Sequence, residues 1–197
     1  MSYTMPGVMW TDANGNDRYT DLPTRLLKDR IIVLEGEIGP EMAISICEQL
    51  LYLESENKEK PIKMLIQSPG GSVDAGWAII DTMNMIKCPV ATVIQGCVAS
   101  MASVIAASGE KGMRSVMPHA NVMLHTVASG ARGKVQDMKI DYEQAQKANE
   151  ELFKHLSKCL GQPLEKLKKD CDRDFWMTAE EWKKYGGCDE IKKEAKK

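Results

Sequence analysis

The sequence predicts a single α/β domain with a largely parallel sheet. Short apolar runs of strand length alternate with longer segments whose apolar residues recur at helical spacing. The 197 residues suit one domain with its own core. No internal repeat or low-complexity linker divides them.

Residues 1–20 are polar, carry the turn signals NGN and GND, and read as a mobile arm. The run IIVLEG from residue 31 reads as a buried strand. GPEMAISICEQLLYLESEN follows as a helix, with Pro40 in its first turn and Met42, Ile46, Leu50 and Leu53 at helical spacing. PIKMLIQS is a strand and GSVDAGWAIIDTMNMI a helix. CPVATVIQG is a strand and ASMASVIAASG a helix stopped by Gly109. RSVM and NVMLH are short strands. A long helix runs from about 134 to 160 and ends at Gly161, and shorter helices lie near 163–172 and 178–185. The lysine-rich tail KKEAKK frays, with 194–197 outside the domain. The 134–160 helix is highly charged and follows the glycine-rich SGARG. Its apolar stripe, Val135, Met138, Tyr142, Ala145, Leu152 and Leu156, is narrow. It suits equally a helix projecting toward a partner subunit and a long surface helix.

Apolar residues make up 43% of the chain and charged residues 27%, as in soluble globular proteins. The net charge of −2 supplies no basic field for nucleic acid. No apolar run is long enough to span a bilayer, and the first residues lack the pattern of a signal peptide. The expected location is the cytoplasm. The six cysteines show no pairing or metal spacing, so they read as thiols of a reducing compartment. With no C-x-x-C and three histidines, a zinc site is not indicated.

The stretch GCVASMASVIAASG places a hydroxyl, Ser100, among small apolar residues at the start of a helix. Such a serine is either a helix N-cap or a nucleophile. It does not sit in the G-x-S-x-G nucleophile elbow. A nucleophile needs a base, an orienting acid and oxyanion donors. Of the histidines, His119 sits in a turn-like segment and His155 reads as lying on a polar helix face. His125 ends a core strand, where ligands bind in open α/β sheets. It is the candidate base, with a core histidine as the bland alternative. QSPGGSVDAG follows a strand, and Gly70 and Gly71 let a substrate approach the backbone. The Met101 amide would be a second donor. The paired glycines could also form a plain turn or cradle a phosphate, although no P-loop Lys-Ser/Thr follows. Among acids, DCDRDFW alone offers Asp170, Asp172 and Asp174, and spacing does not choose among them.

Together these segments resemble the proteolytic subunit of the Clp protease family of serine peptidases. RLLKDRI, QSPGGSVDAGWAIIDTM, GCVASMAS, MPHANVMLH and DCDRDFWMTAEE occur in order over nearly the whole chain. The resemblance implies the repeated β-β-α superhelix shared with enoyl-CoA hydratases, a domain over 21–193 and a protruding strand-helix handle at about 126–160. Residues 1–20 would form an axial loop. Ser100 matches the nucleophile, His125 the base, Asp174 the acid, and Gly71 and Met101 the oxyanion amides. Asp172 and Arg173 match a pair that links subunits. The implied activity is endoproteolysis of unfolded polypeptides to short peptides within two stacked seven-membered rings. The chain itself needs no cofactor. ATP would be used by a hexameric Clp ATPase partner. Neither nucleic acid nor membrane is implied as a partner.

Some positions depart from the family. The ATPase-docking pocket maps to Lys63, Leu65, Val93, Gln95, Ser115, Met117 and Lys192, of which four are polar or charged. Burying these groups against an apolar loop costs free energy. Weak docking, an adapted ATPase or a mixed complex with a second proteolytic subunit would follow. The alternative is that the lysine stems fold aside and the pocket survives. Thr126 and Val127 stand where the family often has Gln-Pro. Pro23 alters the approach to the first strand. Two competing readings remain at this level: an acyl-CoA-processing hydratase-like enzyme, and a scaffold or partner-dependent ring subunit.

Overall fold

A computed structural model of the chain describes residues 6–12, 14–130 and 132–193. It opens with two strands, β1 (Gly7–Thr11) and β2 (Asp17–Asp21), paired antiparallel. The Asp12 carboxylate builds their turn by accepting the Asn14 and Asn16 amides at 2.9 and 3.0 Å. So the described part of the 1–20 segment is a hairpin rather than irregular chain. Helix α1 (Leu22–Lys28) follows directly. Asp21 caps it through the Thr24 amide at 2.7 Å, and Pro23 occupies its first turn.

The body alternates strands and helices as the periodicity predicts. β3 (Ile31–Glu35), α2 (Pro40–Glu56), β4 (Ile62–Ser68), α3 (Val73–Met85), β5 (Val90–Ala99) and α4 (Met101–Ala107) come first. β6 (Ser115–Val116), β7 (Asn121–Leu124), α5 (Val135–Leu160), α6 (Leu164–Asp170), β8 (Phe175–Thr178), α7 (Ala179–Lys184) and β9 (Glu190–Ile191) complete the chain. The sheet runs in the order β3-β4-β5-β6-β9, every neighbour parallel. β7 joins the far end of β5 in parallel, and β8 joins β7 antiparallel.

Alternate strand residues Ile32, Leu34, Ile62, Met64, Ile66 and Ile94 are buried, together with Ile46, Leu50 and Leu53 of α2 and Ile79 and Ile80 of α3. α4 is enclosed on all sides: each of its seven residues is buried. Its alanine-rich composition follows, because small side chains let a central helix approach its neighbours closely.

β5 serves two partners. Val93 and Ile94 pair with β6, whereas Cys97–Ala99 pair with β7. Between them the register against β4 shifts, with Gly96 at φ 56°. The irregularity turns the strand and aims its end at the site.

α5 spans two environments. Leu152, Phe153, Leu156 and Leu160 are buried, while Val135 is 78% exposed and Tyr142 61%. Its first half thus extends away from the core, as a projecting helix would. Cys47, Cys88, Cys97, Cys159, Cys171 and Cys188 are all free thiols. Among the described residues, no helix is long and apolar enough to cross a membrane.

Candidate active site

The nucleophile candidate sits at a strained junction. Ser100 lies between β5 and α4 with φ 55° and ψ −130°, a conformation that side-chain-bearing residues rarely adopt. Its amide donates to the Met123 carbonyl at 2.9 Å, and its carbonyl accepts the Ser103 amide at 3.0 Å. The Ser103 hydroxyl, fully buried, lies 2.8 Å from the Met123 carbonyl and 3.1 Å from that of Val98. These bonds pin the turn to β5 and β7. Ser100 occupies the N-cap position, yet its side chain makes no capping hydrogen bond. The N-cap explanation therefore does not account for the hydroxyl.

Gly70 and Gly71 lie against this turn. A Cβ on Gly70, at φ 97°, would stand 2.6 Å from Ser100 Cβ and 2.7 Å from the Ala99 carbonyl oxygen. A Cβ on Gly71 would meet the Ile38 carbonyl oxygen at 2.3 Å. Both positions therefore need glycine for approach as well as for φ. Among the described residues, neither the Gly71 nor the Met101 amide donates to a protein acceptor. Both residues line one cavity with Ser100.

His125 immediately follows β7 and is half-buried. It lines a cavity of about 70 Å³ together with Ser100, Gly71, Met101, Val73 and Leu152. Apolar Val104, Leu124 and Val127 also contribute to its wall. Asp174 precedes β8 and is exposed. Leu124 pairs with Phe175, so one further antiparallel step sets His125 opposite Asp174. No hydrogen bond joins Ser100 to His125, or His125 to Asp174, among the described residues. The single chain brings the first two to one cavity and the third to the facing register position, without closing the relay. Catalytic hydrogen bonds are often open without substrate.

The remaining candidates lie elsewhere. Asp172 and Arg173 are exposed beside each other, 4.0 Å apart, in the turn after α6. Leu65, Val93 and Ser115 are register neighbours across β4, β5 and β6, on the sheet face opposite Met64 and Ile94. Lys63 and Lys192 are exposed, and Lys192 is ion-paired with Glu190. Val93 and Ser115 are 7% and 3% exposed, and the Ser115 hydroxyl donates to the Thr92 carbonyl. Gln95, within β5, is half-buried, and Met117, just after β6, is exposed.

His119 is exposed, as its turn predicts. His155 is not on a polar face. Its ring packs edge-on against Trp77 at 5.1 Å, with Nε2 2.7 Å from Ser108 Oγ and 3.3 Å from Cys159 Sγ. A helical wheel misses this because the ring fits between α5 and the end of α4, a contact set by tertiary packing. Val73, Val104 and Leu152 also wall the cavity. As apolar residues of helices, they look in sequence like any core residue.

The Clp protease family model matches residues 14–195. The chain belongs to the Clp protease family. A relative from Leuconostoc citreum (strain KM20), named ATP-dependent Clp protease proteolytic subunit, is 49% identical over 188 residues, covering 94% of this chain and 94% of that protein. The fold is accordingly the Clp protease fold, and the chain is a serine-type peptidase. A strained serine next to amides that meet no protein acceptor among the described residues is an arrangement suited to acyl transfer.

Proposed function

We propose that this Clp protease subunit cleaves unfolded polypeptides through an acyl-enzyme on Ser100. The observation that carries this reading is the pair of unpartnered amides, Gly71 and Met101, beside a serine whose side chain caps nothing. His125 takes the Ser100 proton as Oγ attacks the peptide carbonyl. The oxyanion rests on the two amides. His125 returns the proton to the leaving amine, and water then hydrolyses the ester. Asp174, one step beyond the end of the β7–β8 ladder, holds the imidazole tautomer.

The subunit works in the cytoplasm as part of an oligomer with a Clp ATPase. Two stacked heptamers meet through the exposed half of α5, where Val135, Ile140 and Tyr142 present apolar surface. Asp172 and Arg173, exposed and 4.0 Å apart, are free to exchange partners with a facing subunit. The chain needs no cofactor of its own, because the triad supplies both nucleophile and proton transfer. At the docking face, Glu190 neutralises Lys192 and Thr92 satisfies Ser115, which leaves Lys63 and Gln95 as the desolvation cost. A mixed assembly, whose second ring docks the ATPase, suits that face.

The test is hydrolysis of a short fluorogenic peptide by the purified chain and by Ser100→Ala, with the mass of the assembly recorded. Cleavage that disappears in the variant supports the reading. Cleavage that persists in Ser100→Ala overturns it.

A further inference from the structure

We propose that Asn149 is a positioning residue for proteolysis: its side-chain carbonyl fixes the segment that follows the general base. The inference rests on the assignment of Ser100 and His125 above. Pairing of β7 ends at Leu124, and residues 125–130 have no regular structure. Within that run the Val127 amide donates to Asn149 Oδ1 at 3.0 Å, across 22 positions of sequence. A partly buried amide outside a ladder needs an acceptor, and α5 provides one.

The position of Asn149 makes it an effective anchor. It lies three residues before Leu152 and hence on the same face of α5. Leu152 walls the nucleophile's cavity together with Thr126, Val127 and Ala128. Leu152, Phe153 and Leu156 fix this part of the helix in the core. One helix face therefore gives the cavity an apolar wall and a polar hook. Beyond it, a groove of about 690 Å³ continues past Val127, Ala128, Ala145 and Ala148.

The identity of residue 127 gives the hook its purpose. A proline there would have no amide hydrogen and a fixed φ. Valine leaves an amide to satisfy and a backbone to restrain. Asn149 does both, two residues from the base. Restraint of a base matters most while the proton moves, so its loss lowers kcat more than it raises KM.

The experiment compares Asn149→Leu, Asn149→Asp and the double variant Val127→Pro/Asn149→Leu. Peptide hydrolysis, fluorophosphonate labelling of Ser100, assembly mass and Tm are measured on each assembled protein. Leucine has similar size but no acceptor, and Asn149→Leu lowers kcat by about five- to ten-fold, the worth of one hydrogen bond, with KM little changed. Asn149→Asp keeps the acceptor and retains kcat. Val127→Pro restores kcat to the leucine variant by removing the orphan amide and fixing the backbone. Wild-type kcat in an assembled Asn149→Leu overturns the inference, as does a loss that neither aspartate nor proline relieves. If Asn149→Leu does not assemble, the other two variants carry the test, and low kcat in both is fatal to it. Failure of the wild-type enzyme to label at Ser100 sinks the underlying triad instead, and the wild-type control separates the two cases.

Discussion

Ser100 sits between a strand and a helix whose seven residues are all buried, whereas His125 sits between a strand end and a run without regular structure. The serine's backbone is tied to β7, its turn is braced by the Ser103 hydroxyl, and Gly70 is pressed against it. The base has one ladder neighbour on one side and one hydrogen-bonded segment on the other. The facing acid, Asp174, is exposed. The fold of one subunit thus fixes the backbone of the proposed nucleophile and of the amides proposed to serve it. The residues proposed as base and acid are held by fewer contacts, and assembly is expected to supply the additional order.

The largest expected effect tests the determined side. Ser100→Ala removes the nucleophile and lowers kcat/KM by about 10⁴-fold or more, measured on a fluorogenic peptide, with assembly unchanged. A residual rate within ten-fold of wild type would mean that another group attacks.

Asp174→Asn probes the dependent side. Loss of the orienting charge lowers kcat by about 10²-fold or more in the assembled enzyme, with the peptide KM little changed. If assembly is what brings the acid to His125, fluorophosphonate labelling of the dissociated wild-type chain is as slow as that of the assembled variant. Fast labelling of dissociated chain breaks the proposed contrast between the two sides.

The third test concerns stability. Ser103→Ala removes a fully buried hydroxyl that lies between two strand carbonyls. The cost is about 2 kcal/mol, or roughly 5 °C in Tm for a chain of this size. Thr126→Ala, on the irregular segment after β7, leaves Tm within about 1 °C. Equal shifts in calorimetry would show that the two sides are equally constrained.

The same division explains what the sequence made legible. Strands β3, β4 and β5 and helices α2, α3 and α5 have complete apolar periods, so pattern alone locates them. β8 and β9 are short, and their pairing with β7 and β6 is visible only in the folded sheet. The cap of α1 was readable in principle, because DLPT carries an N-cap aspartate and a first-turn proline. Ser100, Gly70 and Gly71 stand out because a hydroxyl and paired glycines are conspicuous beside buried strands. Asp174 does not, since its neighbours Asp170 and Asp172 are chemically equivalent in sequence. Only the register that sets it opposite His125 distinguishes it. Asn149 and His155 act through partners 22 and 47 positions away, beyond any local period.

The smallest predicted effect concerns the far end of the nucleophile helix, where Ser108 meets His155. Burial, followed by the nearby Lys158 cation, holds the imidazole below its ordinary value of 6.5, against a weaker opposite pull from Asp81. The unfolded chain therefore binds a proton near pH 6.5 that the folded chain resists. Stability from this contact is present in full above that pH and is lost as pH falls toward the lower folded value. His155→Gln removes the titration, so its Tm falls less steeply than that of wild type below pH 6.5. Calorimetry in matched buffers gives the comparison. Parallel curves would mean that the ring takes up its proton without disturbing its contact with the end of α4.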